Sequence, residues 1–306
     1  MFPTDFELYK PFFVTGLALG GVYALSGVGI VVLYRATGVL NLAFGAIGAM
    51  GALISWTLIN HTSFPDWASY LACIVFGGLV TFAYGVIFGP PLADRDPLVK
   101  AAGTLGLTLI LLGLMSYLWP PFGRTMLLPT SNHSYHIGFA GVDVTQTQII
   151  GVAFGVLVTF LVGAFLRFTK LGTAMRALAD DREITSTLGV PVRRVEAAAW
   201  LGSGLIAGAA GLLLSDLVGL DAVNLTFLVI SSLAAALIAR LRSLVATMVA
   251  GLAVGLCTAL LTPILFWPNA SFPVAKYQYA SPFVIAIVAL LFLARRRVVT
   301  VARTEG

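Results

Sequence analysis

The stretch PFFVTGLALGGVYALSGVGIVVLY, residues 11–34, holds 24 consecutive positions without one charged side chain. About 20 apolar residues in a helix cross the roughly 30 Å hydrocarbon core of a bilayer. The apolar run is longer than the ~7–15 residues of a signal-peptide core and is followed by no clear cleavage site. We therefore predict a helix that stays in the membrane.

The rest of the chain repeats this pattern. Of 306 residues, 59% are hydrophobic and only 10% charged, and the mean hydropathy is +0.97. A soluble surface cannot be built from so little charge. The sequence predicts an all-α polytopic membrane protein of about 8–9 transmembrane helices, forming one domain over residues 1–306. The candidate spans lie near 11–34, 40–59, 69–89, 101–119, 148–168, 197–215, 223–239, 244–265 and 277–294, of which the seventh and ninth are short.

The basic residues predict how these spans are oriented. With nine crossings and the C-terminus inside, Lys10, Arg124 and Lys276 fall outside, and the other fifteen of the eighteen basic residues fall inside. Lysine and arginine are enriched in cytoplasmic loops. We therefore expect the N-terminus outside, the C-terminus in the cytoplasm, and residues 169–196 as a cytoplasmic loop.

Small residues inside the spans predict how the helices pack. In lipid, hydrophobic burial does not drive helix association, and small side chains let helix backbones approach closely. Glycines recur at four-residue spacing as Gly16 and Gly20, Gly204 and Gly208, and Gly251 and Gly255. These glycines predict tight packing rather than a direct part in chemistry.

The sequence lacks the residues that several classes of function require. No ionisable side chain falls at the middle of a predicted span, which argues against proton coupling but leaves sodium coupling open. No metalloprotease, hydrolase or P-loop motif occurs, so we predict no enzyme activity, no cofactor and no nucleotide site in this chain. His133 and His136 fit polar loop residues better than metal ligands. The basic residues are scattered at span ends, so nucleic acid is not an expected partner.

One segment departs from the apolar pattern. RALADDREITSTLGVPVRR, residues 176–194, holds seven of the 31 charged residues. Asp180 and Glu183 form an acidic capping box, and Gly189 followed by Pro191 forms a stop signal. They predict a helix over 181–188, shorter than the ~12–15 residues at which an isolated helix becomes marginally stable in water.

A helix this short needs a surface to lie against. Ile184 and Leu188 share one face at four-residue spacing, and Arg182 and Thr185 flank it. This face either packs on the helix ends of the same chain or docks against a cytoplasmic partner. The residues alone leave both interpretations open.

Three stretches carry a resemblance to one family. They are GLALGGVYALSGVGIVVLYRATGVLNLAFGAIGAMGA (16–52), TLGLTLILLGLMSYLWPPFG (104–123) and LGTAMRALADDREITSTLGV (171–190). The first contains a T-G-x-L-N-x-A-x-G element, and the third an M-R-A-x-A-x-D pattern followed by L-G. In this order they resemble the permeases of branched-chain amino-acid ABC importers, and together they lie along more than half of the chain.

The resemblance implies a coupling helix over 181–188 that sits in a groove of a separate ATP-hydrolysing subunit. It implies two such ATP-binding subunits, a second permease of the same or a different kind, and an extracytoplasmic substrate-binding protein. It also implies transport by alternating access across a bacterial inner membrane. The residues expected to dock are Arg176, Asp180, Asp181, Arg182, Ile184, Thr185, Leu188 and Gly189.

The segment RATGVLN, residues 35–41, joins the first two spans. Gly38 and Asn41 can interrupt helical structure, and unwound backbone in a membrane is tolerated where it lines a cavity. We therefore place the candidate translocation path at Gly38, Asn41, Phe44, Gly45 and Gly48. The alternative is a simple turn at the membrane surface.

One turn differs from the family pattern. Where the family has G-G-x-G-S, this chain has Ala239-Arg240-Leu241-Arg242-Ser243. The resemblance leaves the cargo open among branched-chain amino acids, other amino acids, amides and urea. A self-sufficient secondary transporter of small polar solutes is the alternative function, although no internal repeat supports it.

Overall fold

The computed structural model describes residues 6–93, 95–120, 124–126, 128–137 and 142–265, together with residues 284, 285, 287, 288 and 291. The helices are α1 (Phe6–Thr37), α2 (Phe44–His61), α3 (Asp66–Leu92), α4 (Pro97–Leu118), α5 (Gln146–Phe168), α6 (Lys170–Asp180), α7 (Arg182–Thr187), α8 (Val192–Val218), α9 (Ala222–Phe227), α10 (Val229–Ile238) and α11 (Leu244–Leu265). A 3-10 turn (Pro129–Asn132) precedes a hairpin of two antiparallel strands, β1 (Ser134–Ile137) and β2 (Val142–Thr145). The prediction of an all-α membrane protein is confirmed, with the hairpin as a small addition.

Most predicted spans coincide with observed helices. Within the described residues, six helices are long and apolar enough to cross a membrane, namely α1, α3, α4, α5, α8 and α11. The predicted seventh span is observed as the apolar helical stretch Ala222–Ile238, which is interrupted at Leu228 between α9 and α10. There the Ser231 N–H donates to the Leu228 carbonyl at 3.1 Å, which is the three-residue hydrogen-bond spacing of a 3-10 helix. The predicted ninth span, 277–294, lies outside the described residues apart from five positions.

Helix α1 lies at the centre of the bundle. Its residues from Val22 to Leu33 are almost completely buried, and α1 packs against α5, α8, α10 and α11. Helices α3, α4 and α5 instead expose large apolar side chains, among them Leu79, Ile110 and Phe160. Lipid tails are as apolar as these side chains, so such faces are stable in a bilayer. The chain therefore has the character of a multi-pass membrane protein.

The glycines predicted to pack closely do so, and they bring helix backbones into direct contact. Helix α1 meets α11 where Gly20 lies on Gly255, and a Cβ added to Gly251 would lie 2.6 Å from the Ala24 Cα. Equivalent contacts join α3 to α8, α2 to α8 and α1 to α5, through the pairs Gly77–Gly204, Gly48–Gly211 and Gly21–Gly155. Four helix pairs are thus held at distances that larger residues do not allow.

The helix ends form two layers, which we call the α7 end and the hairpin end after the element that each carries. The α7 end gathers the last residues of α1, α3, α5 and α10 and the first residues of α4, α8 and α11. Among the described basic residues, Lys10 and Arg124 lie at the hairpin end, and eleven lie at the α7 end. The predicted asymmetry of basic charge therefore appears in three dimensions.

Polar contacts fasten the hairpin end. The Leu128 N–H donates to the Asp216 carboxylate at 2.8 Å, so the acid at the end of α8 has a structural partner. The predicted polar loop around His136 is a β-hairpin, in which the imidazole lies 2.8 Å from the Asp143 carboxylate. The first contact holds the connection between α4 and α5 against the bundle, and the second joins the two strands of the hairpin.

The turn between α10 and α11 keeps a backbone conformation that usually requires glycine. Arg240 and Leu241 have φ of 54° and 55°, in the left-handed region. For residues other than glycine this region costs roughly 1–2 kcal/mol per residue. The Arg35 guanidinium donates to the Arg242 carbonyl at 3.2 Å and ties the turn to the end of α1. Of the three positions at which the G-G-x-G-S pattern has glycine, only Arg240 has a positive φ here, and Leu241 stands at the x position.

Arg240→Gly is expected to stabilise the protein. The Arg240 side chain is exposed and packs little, so relief of the left-handed strain raises the free energy of unfolding by up to about 1 kcal/mol. The thermal midpoint of the purified protein in detergent measures the change. Arg242→Gly is the control, since Arg242 is an exposed neighbour without a positive φ. A lower midpoint for Arg240→Gly than for the control contradicts the expectation.

Candidate docking helix and translocation path

Helix α7 has six residues and lies between α6 and α8. Its N-cap is Asp181, whose carboxylate accepts the Ile184 N–H at 2.9 Å. The predicted cap at Asp180 and the predicted bounds 181–188 are therefore wrong by one residue at each end. Asp180 continues α6, and Asp181 has extended backbone. At the other end Gly189 has a φ of 81°, as the predicted stop signal requires.

Polar contacts hold one side of α7 to the bundle. The Arg182 guanidinium pairs with Glu196 of α8 at 3.0 Å and donates to the Ala93 carbonyl after α3 at 3.3 Å. The buried Thr185 hydroxyl donates to the Asp181 carbonyl at 2.5 Å. The Arg182 contacts fix the short helix to α8 and to the end of α3, and the Thr185 bond supports the first turn of α7 itself. A helix of this length is unstable alone.

The other side of α7 is apolar and exposed. Ile184 is 59% exposed and Leu188 is 77% exposed, so this face does not pack closely on the helix ends that the structure describes. Beside them, Gly189 has open space where a Cβ would stand. Two large apolar side chains on a rigid base form a surface suited to a groove in another protein.

The predicted cytoplasmic loop contains a helix, α6, that the sequence analysis missed. Thr169 is its N-cap, and the Thr169 hydroxyl accepts the Gly172 N–H at 2.9 Å. Met175 and Leu178 are buried, and Leu171 packs beside them. The threonine cap followed by apolar residues at helical spacing is the signal that could have predicted it.

Two predicted docking residues belong to α6. Arg176 is exposed, with Nη2 3.5 Å from the Thr173 hydroxyl. Asp180 is exposed at the end of α6, where it lines a cavity together with Arg182. Both therefore lie at the α7 end, next to the apolar face of α7.

Residues 38–43 form a non-helical segment that enters the bundle from the α7 end. Gly38, with a φ of 68°, follows α1, and α2 begins at Phe44, whose ring packs on Gly29. Gly29 lies eight residues before the end of α1, so α2 begins about 12 Å inside the bundle at the 1.5 Å rise per residue of a helix. The predicted interruption between the first two spans is confirmed.

Polar groups of this segment are only partly satisfied. The Asn41 carboxamide is 2% exposed, and its oxygen accepts the Ala43 N–H at 3.1 Å. Its Nδ2 has no hydrogen-bond partner among the described residues. The Thr104 hydroxyl of α4 lies 2.9 Å from the Leu40 carbonyl and accepts the Leu42 N–H at 3.2 Å. A buried amide left without a partner destabilises the folded state unless a ligand or another conformation satisfies it.

The other path candidates pack closely. Phe44, Gly45 and Gly48 surround a void of only about 10 Å³ together with Ser232 of α10 and residues of α8. A Cβ added to Gly45 would overlap the Thr226 carbonyl of α9. We call this contact between α2 and α9–α10 the closed seam.

A larger cavity lies between α1, α9, α10 and α11, in the half of the bundle nearer the hairpin end. Its volume is about 340 Å³, and none of the described residues that line it is charged. Phe12, Leu19 and Phe227 supply apolar surface. This cavity could not be predicted from the sequence, because its polar groups come from four separate helices. The residues that carry them are Thr15, Tyr23, Asn224, Ser231, Thr258 and Thr262.

Long apolar helices joined through glycines, a rigid helix with an exposed apolar face at one end, and an uncharged cavity nearer the other define a multi-pass membrane transport subunit. The comparison with known families agrees with this class. The chain belongs to the family described as branched-chain amino acid transport system permease component, whose model matches residues 12–293.

Curated relatives carry names of the same kind. The chain is 27% identical over 228 residues to the probable branched-chain amino acid transport permease protein LivH of Methanocaldococcus jannaschii, covering 71% of this chain and 70% of that protein. It is 26% identical over 221 residues to the high-affinity branched-chain amino acid transport system permease protein LivH of Salmonella typhimurium, covering 67% and 70%. It is 26% identical over 215 residues to LivM of Salmonella typhimurium, covering 63% of this chain and 49% of that protein.

Proposed function

We propose that this chain is the membrane-spanning permease subunit of an ABC importer for branched-chain or related amino acids. Transport proceeds by alternating access, and separate subunits hydrolyse the ATP. The observation that carries the proposal is α7, whose base is tied to α3 and α8 while Ile184 and Leu188 remain exposed. Membership of the permease family supports the same assignment.

The charge distribution supports an orientation with the α7 end in the cytoplasm. Eleven described basic residues lie at that end and two at the other, as expected from the positive-inside rule. Helices α1–α5, α8, the α9–α10 pair and α11 supply eight crossings, and the predicted span at 277–294 supplies a ninth. The N-terminus then lies outside and the C-terminus in the cytoplasm of a bacterial inner membrane.

Motion of a docked subunit reaches the membrane through α7. The Arg182–Glu196 ion pair joins α7 to α8, and α8 extends to Val218 beside the uncharged cavity. A partner that binds α7 differently in its ATP-bound and ATP-free states shifts the balance between two arrangements of the bundle. Hydrolysis is thereby coupled to access without any nucleotide contact in this chain.

The α9–α10 pair separates two parts of the proposed path. Ser231 lines the uncharged cavity, and its neighbour Ser232 lines the closed seam. The cavity combines apolar walls with hydroxyl and amide groups, which suits a neutral solute with an aliphatic side chain and polar ends. Movement of α9–α10 away from α2 opens the seam and exposes Asn41 and Phe44 to the cargo.

The permease acts within an assembly. Two ATP-binding subunits engage the α7 helices of two permeases, and an extracytoplasmic binding protein delivers cargo at the hairpin end. The chain is similar to both LivH and LivM, which are named as permeases of branched-chain amino-acid systems, so its partner is a second permease of the same or a related sequence.

Reconstitution tests the proposed function. The permease is co-expressed with candidate ATP-binding subunits, a second permease and a binding protein of the same transport family, and proteoliposomes are assayed for uptake of labelled leucine, alanine and urea. We expect uptake that requires ATP and the binding protein, with leucine preferred. Ion-driven uptake by the permease alone would instead support a secondary transporter.

Thr258→Trp is expected to block the proposed path. The indole fills much of the cavity of about 340 Å³, so uptake falls about tenfold or more while assembly with the ATP-binding subunits is retained. The matched control is Val249→Trp, because Val249 is exposed on the same helix and does not line the cavity. Equal uptake by the two variants places the path elsewhere.

A further inference from the structure

The α7 end contains a cavity of about 890 Å³ whose lining is strongly basic. It lies between the ends of α1 and α6, the start of α4 and the turn that joins α10 to α11. Thirteen of the described residues line it, and of these five are cationic and one is acidic: Arg35, Lys100, Arg182, Arg240, Arg242 and Asp180. We call this space the basic cavity.

Most of the positive charge in the basic cavity is not neutralised by the residues that the structure describes. Arg182 already pairs with Glu196 at 3.0 Å. Within the part of the chain that the structure describes, no carboxylate forms an ion pair with Lys100, Arg240 or Arg242. Asp180 therefore faces a cluster of cations that outnumbers it, and like charges held this close repel one another.

The fold holds these cations in place despite the repulsion. Arg35 donates to the Arg242 carbonyl at 3.2 Å, which fixes the end of α1 against the turn. Arg240 keeps a left-handed backbone with a φ of 54°, although glycine would adopt this conformation without strain. Strained residues persist where the surrounding structure determines them, and they are concentrated at functional sites.

We propose that the basic cavity binds a phosphate-bearing anion. Arginine presents a planar set of donors that matches phosphate oxygens, and several arginines around one cavity favour a phosphate over a single carboxylate. The cavity lies at the level of the helix ends, and basic pockets between membrane helices on the cytoplasmic side bind lipid headgroups. The inference depends on the proposed orientation of the chain and not on its cargo.

Two kinds of molecule carry such a phosphate group, a membrane lipid and a soluble anion, and separate arms of one experiment distinguish them. The full-length permease is placed in nanodiscs of phosphatidylcholine alone or with about one third phosphatidylglycerol, and inorganic pyrophosphate is added to the first kind. The thermal midpoint and the lipid retained after purification are measured. We expect phosphatidylglycerol, pyrophosphate or both to raise the midpoint by about 3–5 °C. A response to the lipid alone identifies a headgroup, and a response to pyrophosphate alone identifies a soluble anion.

Substitutions of arginine pairs test whether the anion stabilises the protein through the basic cavity. The double variant Arg240→Gln, Arg242→Gln should lose the stabilisation, and Lys100→Gln should reduce it. Arg193→Gln, Arg194→Gln is the control, since these exposed arginines lie at the same end but do not line the cavity. Size-exclusion profiles confirm that each variant is folded. Equal loss in the control, or no response of the wild-type protein to either anion, overturns the proposal. Loss of ATP-binding subunits from the double variant without any anion response assigns the cations to protein docking and also overturns it.

Discussion

With Ile184 and Leu188 both replaced by aspartate, ATP-dependent uptake falls to background and the ATP-binding subunits no longer co-purify with the permease. Burial of one such apolar side chain in a partner's groove stabilises the complex by about 1.5–3 kcal/mol. Losing both, and placing two charges in the groove, weakens association by roughly 100-fold or more. The measurement is pull-down of the ATP-binding subunits in mild detergent, together with uptake by proteoliposomes.

Conservative changes at the same positions provide the control. Ile184→Val with Leu188→Met keeps an apolar face of similar volume, so association and uptake should stay close to wild type. Both side chains are exposed, and the bracing contacts of Arg182 and Thr185 are untouched in either variant. Thermal midpoints should therefore be equal. Wild-type uptake by the aspartate variant would show that α7 is not the docking element.

Gly155→Leu is expected to prevent folding of the bundle. A Cβ at this position would overlap the Gly21 carbonyl of α1, and backbone atoms cannot rotate away as a side chain can. Inserting a leucine against packed backbone costs about 3 kcal/mol or more, which is a large part of the stability of a protein. We expect loss of the monodisperse peak in size-exclusion chromatography and a sharply lower yield.

The same helix offers a matched control. A Cβ added to Gly163 of α5 meets nothing within 4 Å, so Gly163→Leu should be produced and should melt like the wild-type protein. Both variants make the same chemical change in one helix and differ in the neighbour that the side chain meets. If Gly155→Leu also melts like wild type, the contact between α1 and α5 is not required for stability.

The membrane character and most helices could be predicted from the sequence because they depend on local composition. An uninterrupted apolar run of sufficient length forms a membrane helix whatever its neighbours. The break at Leu228 gave no such signal, because Phe227, Leu228 and Val229 are all apolar. It is visible only in the backbone hydrogen bonds, where the Ser231 N–H donates to the Leu228 carbonyl.

The position of helix α7 was predicted nearly correctly, and the error in its bounds has a local cause. Asp180 and Asp181 are adjacent, and either carboxylate can cap a helix. Helix α6 extends through Asp180, so Asp181 is the first residue that can take extended backbone and cap α7. Because α6 was not predicted, its effect on the cap could not be predicted either.

The cavities lay beyond sequence reasoning for a different reason. The basic cavity joins Arg35, Lys100 and Arg242, which are separated by many residues and meet only when several helix ends lie in one layer. Each of them, taken singly, satisfies the positive-inside rule and needs no other explanation. The convergence of like charges on one space is visible only in three dimensions.

The exposed face of α7 has a consequence for how the cell makes this subunit. With the proposed orientation and docking role, a newly inserted copy displays the exposed side chains of Ile184 and Leu188 to cytosolic water until an ATP-binding subunit covers them. Exposed apolar side chains bind chaperones, promote proteolysis and cause aggregation with other unassembled copies. The lifetime of the permease should therefore increase with the amount of ATP-binding subunit in the cell, so that neither subunit accumulates in excess.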